Sequence, residues 1–221
     1  MTRRFLVLIA AGIAAIMFAV GAYIYDRGAA DRATLIAASG QDHLVRPHSP
    51  VIGPTNAPVT IVEFFDPSCE SCRAFYPYLK QIMAQYPKDV RLVIRYAPFH
   101  EGSDEAVAIL EAARLQNIFV PVKEALLATQ PNWAVHGAPN LNIAWEAARN
   151  AGLDIERARR DALRPEIAEV LAKDTADIKT AAVKATPTFF VNGKPLPSFG
   201  PKQLSELVRT EVEVSRKASA R

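Results

Sequence analysis

Glu63-Phe64-Phe65-Asp66-Pro67-Ser68-Cys69-Glu70-Ser71-Cys72 holds both cysteines of this 221-residue chain, two residues apart. The run before them, Val59 to Phe65, is β-branched and aromatic and predicts a buried strand. The run after them, Cys69 to Gln85, places Phe75, Tyr78, Leu79, Ile82 and Met83 at helical spacing. A strand therefore delivers a Cys-x-x-Cys pair to a helix N-terminus. There the unpaired N–H groups and the helix dipole favour a thiolate at Cys69, the more exposed thiol, while Cys72, one turn further in, is placed to resolve a mixed disulfide.

Working outward, Val90 to Tyr96 predicts a second strand. Ser103 to Val183 is rich in Ala, Leu, Glu and Arg, with breaks near 117–121, 130–139, Gly152 and Pro165, and predicts four or five helices. Thr188 to Val191 is a short strand, Asn192-Gly193 a hairpin turn, Lys194 to Ser198 a return strand, and Pro201 to Arg216 a closing helix. The order is strand, helix, strand, helical block, hairpin, helix. The folded body is read as residues 51–216, with the helical block inserted at about 100–184 and a flexible tail at 217–221.

Phe5 to Tyr25 is an uncharged run long enough to span a bilayer as a helix. Arg3 and Arg4 precede it, so the positive-inside bias keeps the N-terminus cytoplasmic and exports the rest. The segment 1–25 reads as a signal anchor, or as a signal peptide cut near 19–22, and 26–50 as a stalk or linker. Either way the body is expected at the periplasmic face of the inner membrane or free in the periplasm, where disulfides persist. The net charge of +3 comes with no basic stripe carrying interleaved aromatics, which argues against a nucleic-acid partner.

Five features together resemble the DsbA-type branch of the thioredoxin superfamily, the bacterial extracytoplasmic disulfide oxidoreductases: the Cys69–Cys72 pair at a helix start, Glu63 six residues before it, Pro77 five residues after it, the helical insertion, and Thr186-Pro187 leading into Thr188-Phe189-Phe190-Val191-Asn192-Gly193. The resemblance implies an α/β thioredoxin-like fold with a helical insertion and a protein thiol-disulfide oxidoreductase without cofactor, the dithiol being the redox group. It also implies that Glu63 moves protons to and from Cys72; a carboxyl in an apolar strand has a raised pKa suited to that role. Thr186-Pro187 is expected to be a cis-proline loop whose Thr186 backbone pairs with an extended substrate.

In this family the residues between the cysteines tune the potential. Strong oxidants carry histidine where this chain has Ser71, and Glu70 adds a carboxylate beside the nucleophile, which opposes thiolate formation. Threonine before the proline points the same way, toward a reductase or isomerase working on protein substrates with a membrane redox partner. A DsbA-type oxidant and a membrane-tethered copper(I) chaperone using both thiolates are the alternatives. The four histidines show no ligand spacing relative to the pair, and no metal site is expected. Asp66 is read as an alternative acid or a turn residue, His100 as a loop residue, Pro77 as a kink, and Trp133 and Trp145 as core. Phe199 and Pro67 are expected to offer apolar surface near the sulfur.

Overall fold

The centre of the sheet is β2 (Val59–Phe65), which is buried along almost its whole length. The computed structural model describes residues 43–220 together with Met17. The membrane span read over 5–25 and most of the 26–50 lead-in lie outside the described residues. Among the described residues no helix is long and apolar enough to cross a membrane.

Five strands pair in the order β1-β3-β2-β4-β5, with β1 spanning Val51–Ile52, β3 Val90–Tyr96, β4 Thr188–Val191 and β5 Lys194–Pro195. β2 runs parallel to β3 (Glu63 opposite Ile94) and antiparallel to β4 (Glu63 opposite Phe189). The parallel pair needs a crossover, and α1 (Glu70–Gln85) supplies it. Between β3 and β4 the chain inserts five helices: α2 (Ser103–Leu115), α3 (Phe119–Trp133), α4 (Leu141–Asn150), α5 (Ile155–Ala162) and α6 (Pro165–Thr180). The closing helix α7 (Pro201–Ser219) starts with proline in its first turn.

Alternation along β2 sorts its side chains between two cores. Ile61 and Phe65 join the larger one, with Cys69, Cys72, Phe75 and the insertion, whereas Val62 and Phe64 join a smaller cluster with Leu44, Val93, Ala97 and Val183. Glu63 shares the parity of Ile61 and Phe65, so it is buried on the side of the cysteines, 1% exposed. Both tryptophans are core residues. Trp133 donates its indole N–H to the Leu126 carbonyl, and Trp145 donates its own to Glu105.

The smaller core is closed by charge. Arg95 of β3, fully buried, lies over the Phe64 ring and donates to Asp174 and Asp177 of α6. Asp177 also receives a bidentate pair from Arg46, both bonds 2.7 Å, and Asp174 accepts from the Tyr96 N–H and meets His48. This network fastens residues 43–49 onto β3 and α6, so the last part of the proline-bearing lead-in belongs to the folded body.

Two boundaries differ from the sequence reading. The return strand stops at Pro195 instead of reaching Ser198. Pro195 and Pro197 have no N–H to extend a ladder. The turn before it is built as expected, with Asn192 and Gly193 both in the left-handed region (φ 46° and 78°). The closing helix continues to Ser219, past the Arg216 boundary, and its last turns carry the Arg216–Asp89 ion pair.

Arg95→Met strips two buried carboxylates of their shared cation. It is expected to lower unfolding free energy by about 3 kcal/mol, measured by urea denaturation. Arg149→Met, which breaks a solvent-exposed pair with Glu146, is expected to change it by less than about 0.5 kcal/mol.

Candidate active site

Cys69 is the N-cap residue of α1, with an extended backbone (φ −78°, ψ 121°), and its carbonyl accepts the first helical bond from the Arg73 N–H. Cys72 lies one turn inward. Both are free thiols, Cys69 5% exposed and Cys72 fully buried. The loop before them is fixed from two sides. The buried carboxylate of Asp66 accepts from the Ser68 N–H, the Phe99 N–H, the His100 N–H and the Ser103 hydroxyl, and meets His100 Nδ1 at 2.7 Å. From α3, the buried Gln130 amide donates to the carbonyls of Pro67 (2.7 Å) and Cys69 (3.0 Å), while its oxygen accepts from Arg73.

The Thr186–Pro187 peptide bond is cis, and the Thr186 carbonyl accepts from the Cys69 thiol at 3.2 Å. This loop and the cysteine pair thus face each other. The Cys69 pKa is lowered to about 5: a hydrogen bond from the Cys72 thiol outweighs partial burial, with help from Thr186 and from the N–H groups of Cys72 and Ser71. Burial, followed by the bond to Cys69 and the Glu63 charge, pushes the Cys72 thiol well above its ordinary value. The surroundings of two chemically identical groups one turn apart therefore favour the thiolate at Cys69 and the thiol at Cys72.

Below them, burial raises Glu63 to a pKa of about 7, opposed by the Lys123 charge and assisted by that of Cys69. Among the described residues, Glu63 Oε2 and Lys123 Nζ are the buried side-chain polar atoms without a hydrogen-bond partner. Lys123 comes from α3 and is fully buried, its ammonium 4.2 Å from the Tyr76 ring centroid and 5.0 Å from that of Phe65. Burial lowers its pKa, against the pull of Glu63 and Cys72. The dithiol thus sits over a buried carboxyl that feels the charge of a buried lysine.

Glu70 and Ser71 are exposed. Glu70 does not simply oppose the thiolate: its carboxylate turns to His136, Oε1 to Nε2 2.8 Å, in the α3–α4 loop. The charge argument from sequence omitted this partner, which arrives from 66 residues away. Lys123, Gln130, His100 and His136 were also missed as site residues. One signal was available for two of them: Lys123 and Gln130 fall on the stripe Phe119-Lys123-Leu126-Gln130-Trp133, where charge and amide interrupt a core-facing spacing.

The thioredoxin family matches residues 46–210 of the chain. A thioredoxin-like oxidoreductase from Silicibacter pomeroyi is 31% identical, over 80% of this chain and 98% of that one, with a TM-score of 0.67. Oxidised BdbD from Bacillus subtilis is 25% identical over 75% of this chain and 93% of its own, also with a TM-score of 0.67. A Na(+)/H(+) antiporter NhaA from Herminiimonas arsenicoxydans is 32% identical over 65% of this chain. The chain spans only about a quarter of the length of the curated relatives it matches. With its helical insertion between β3 and β4 and its dithiol at the start of α1, the chain belongs to the thioredoxin family, among its thiol-disulfide oxidoreductases.

Proposed function

We propose that the protein exchanges disulfides with extended protein substrates outside the cytoplasm, at a potential between those of the strong oxidants and the thioredoxins. The observation that carries this is the split of the pair: Cys69 with a pKa of about 5 at the helix start, over a buried, protonated Cys72. In the reductive direction the Cys69 thiolate attacks one sulfur of a substrate disulfide. That S–S bond breaks, one substrate sulfur leaves as thiolate, and a mixed disulfide forms. Cys72 then gives its proton to the Glu63 carboxylate and attacks Cys69 Sγ. The second substrate sulfur leaves, and the pair ends as a disulfide with two electrons passed to the substrate. The reverse sequence oxidises a substrate dithiol. A pKa near 7 lets Glu63 accept or return that proton at neutral pH, and Lys123 acts as a positioning residue that sets that pKa.

Exposed apolar surface suited to unfolded or extended chains lies against α1, the helix that carries the pair. Phe199 packs against Phe75 at 5.2 Å and Tyr78 packs at 6.0 Å, and both remain well exposed. The backbone of Thr186, beside the sulfur, supplies main-chain pairing in the manner of strand addition. Location at the periplasmic face, tethered through residues 5–25 or soluble after cleavage, is supported by the charge pattern of the N-terminal sequence; a membrane protein that re-reduces or re-oxidises the pair would complete the cycle there.

Reductase or isomerase is the first direction, supported by Thr186 and by the absence of histidine before Cys72. The oxidant reading gains from one observation: the Glu70 carboxylate is engaged by His136 at 2.8 Å. Thiol pKa values of about 7 in thioredoxin and about 3.5 in DsbA bracket the value of about 5 found here. The potential of the 43–220 fragment poised against glutathione is accordingly expected near −180 mV, between about −270 and −120 mV. A value at the upper end assigns the oxidant direction, and one at or below −180 mV the reductase or isomerase direction.

Because Glu63 works as the carboxylate, resolution of the mixed disulfide should speed up as pH rises through about 7. Glu63→Gln is expected to slow that step at least about 100-fold and remove this limb. Lys123→Met removes the charge that lowers the Glu63 pKa, so the limb should move to higher pH and not vanish. Stopped-flow turnover of a disulfide peptide across pH 5.5–8.5 reads both effects, and a pH profile unchanged by Lys123→Met would exclude the positioning role.

A further inference from the structure

The loop from Val135 to Gly137 faces the segment after β3 across a cavity of about 190 Å³, lined in part by Ser68, Phe99, His100 and His136. At its mouth three potential ligands converge. His100, His136 and Glu70 each present a donor atom, and these atoms lie within 4.8 Å of one another. The two imidazole rings meet edge to face, with centroids 5.5 Å apart.

What separates this cluster from a chance surface group is the support behind it. His100 Nδ1 is held at 2.7 Å by Asp66, a carboxylate that is itself fully buried and anchored by backbone N–H groups. This fixes the ring and leaves Nε2 as the free donor, the arrangement in which carboxylates orient metal-binding histidines. Glu70 already meets His136 Nε2 at 2.8 Å, so a cation would replace the proton between them.

We propose that Glu70, His100 and His136 form a binding site for a borderline divalent cation of the zinc type, with Asp66 as the outer carboxylate. Two imidazoles and one carboxylate match zinc sites with three protein ligands and one open position, whereas calcium and magnesium take all-oxygen sets. Metal–ligand distances of about 2.0–2.1 Å place tetrahedral donors about 3.4 Å apart. The widest separation must therefore close by up to about 1.4 Å while the 2.8 Å Glu70–His136 pair opens, and exposed His136, on a loop with Gly137 in the left-handed region (φ 73°), is the group able to move. The site adjoins the nucleophile: Glu70 follows Cys69 in the chain, and the Cys69 charge acts on His100.

Binding here does not depend on the exchange chemistry above, and the test keeps them apart. Zinc chloride is titrated by calorimetry into the oxidised protein and into the Cys69→Ser/Cys72→Ser double variant, neither of which offers a thiolate pair. One equivalent should bind in both, and His136→Ala should weaken binding at least about tenfold with an unchanged circular dichroism spectrum. His48→Ala, away from the cluster, should bind as the parent does. Absence of saturable one-to-one binding in the oxidised and double-serine proteins, or binding that His136→Ala leaves intact, would overturn the site. Zinc bound by the reduced protein but by neither the oxidised nor the double-serine protein would move the metal to the cysteines and overturn it equally.

Discussion

The buried carboxylate of Asp66 ties together three pieces of chain at the end of the central sheet. It ends β2, starts the loop that carries the cysteines, and receives the N–H groups of Phe99 and His100 after β3 and the Ser103 hydroxyl at the start of α2. An ionised carboxylate only accepts, and offers about four lone-pair directions; here donors from the backbone, an imidazole and a hydroxyl occupy them. Gly102 makes the approach possible: it precedes α2 with φ 78°, and a side chain there would collide with Leu141 and Pro139. The position of Cys69, the orientation of His100 and the entry into the insertion are thus set by one group.

Stability and reactivity pull against each other beneath the pair. Glu63 and Lys123 are both buried, and Glu63 Oε2 and Lys123 Nζ lack a hydrogen bond. Such groups cost free energy that an apolar pair of similar volume would not. The ammonium recovers part of that cost from the faces of Tyr76 and Phe65. A purely structural core would replace both residues. Their coupling to Cys72 gives a chemical reason for retaining them.

The legible and illegible parts of this chain divide by sequence distance. β2 and β3 could be read because every residue reports burial locally, and the Asn192-Gly193 turn because its backbone needs residues that tolerate the left-handed region. The helical character of the insertion could be read from spacing and breaks as four or five helices, and five are present. The cysteine pair was legible because strand, loop and helix start are contiguous. Lys123, Gln130 and His136 were not, since each reaches the site from the insertion across 51 residues or more of sequence. Glu70 shows the hazard: its neighbour in sequence is the thiol, but its neighbour in space is an imidazole. The clip of Arg46 onto Asp177 was equally hidden, because ionic contacts across 131 residues leave no periodicity.

Lys123 and Gln130 stand two turns apart on one stripe of α3, the first acting on the buried Glu63 carboxyl and the second holding the carbonyls of the cysteine loop. The redox centre is therefore not a detachable cassette. Grafting Glu70-Ser71 into a relative would carry over the dipeptide but leave behind the helix that shapes its surroundings. Chimeras within the family should therefore inherit the donor's redox behaviour only when the insertion travels with the cysteines.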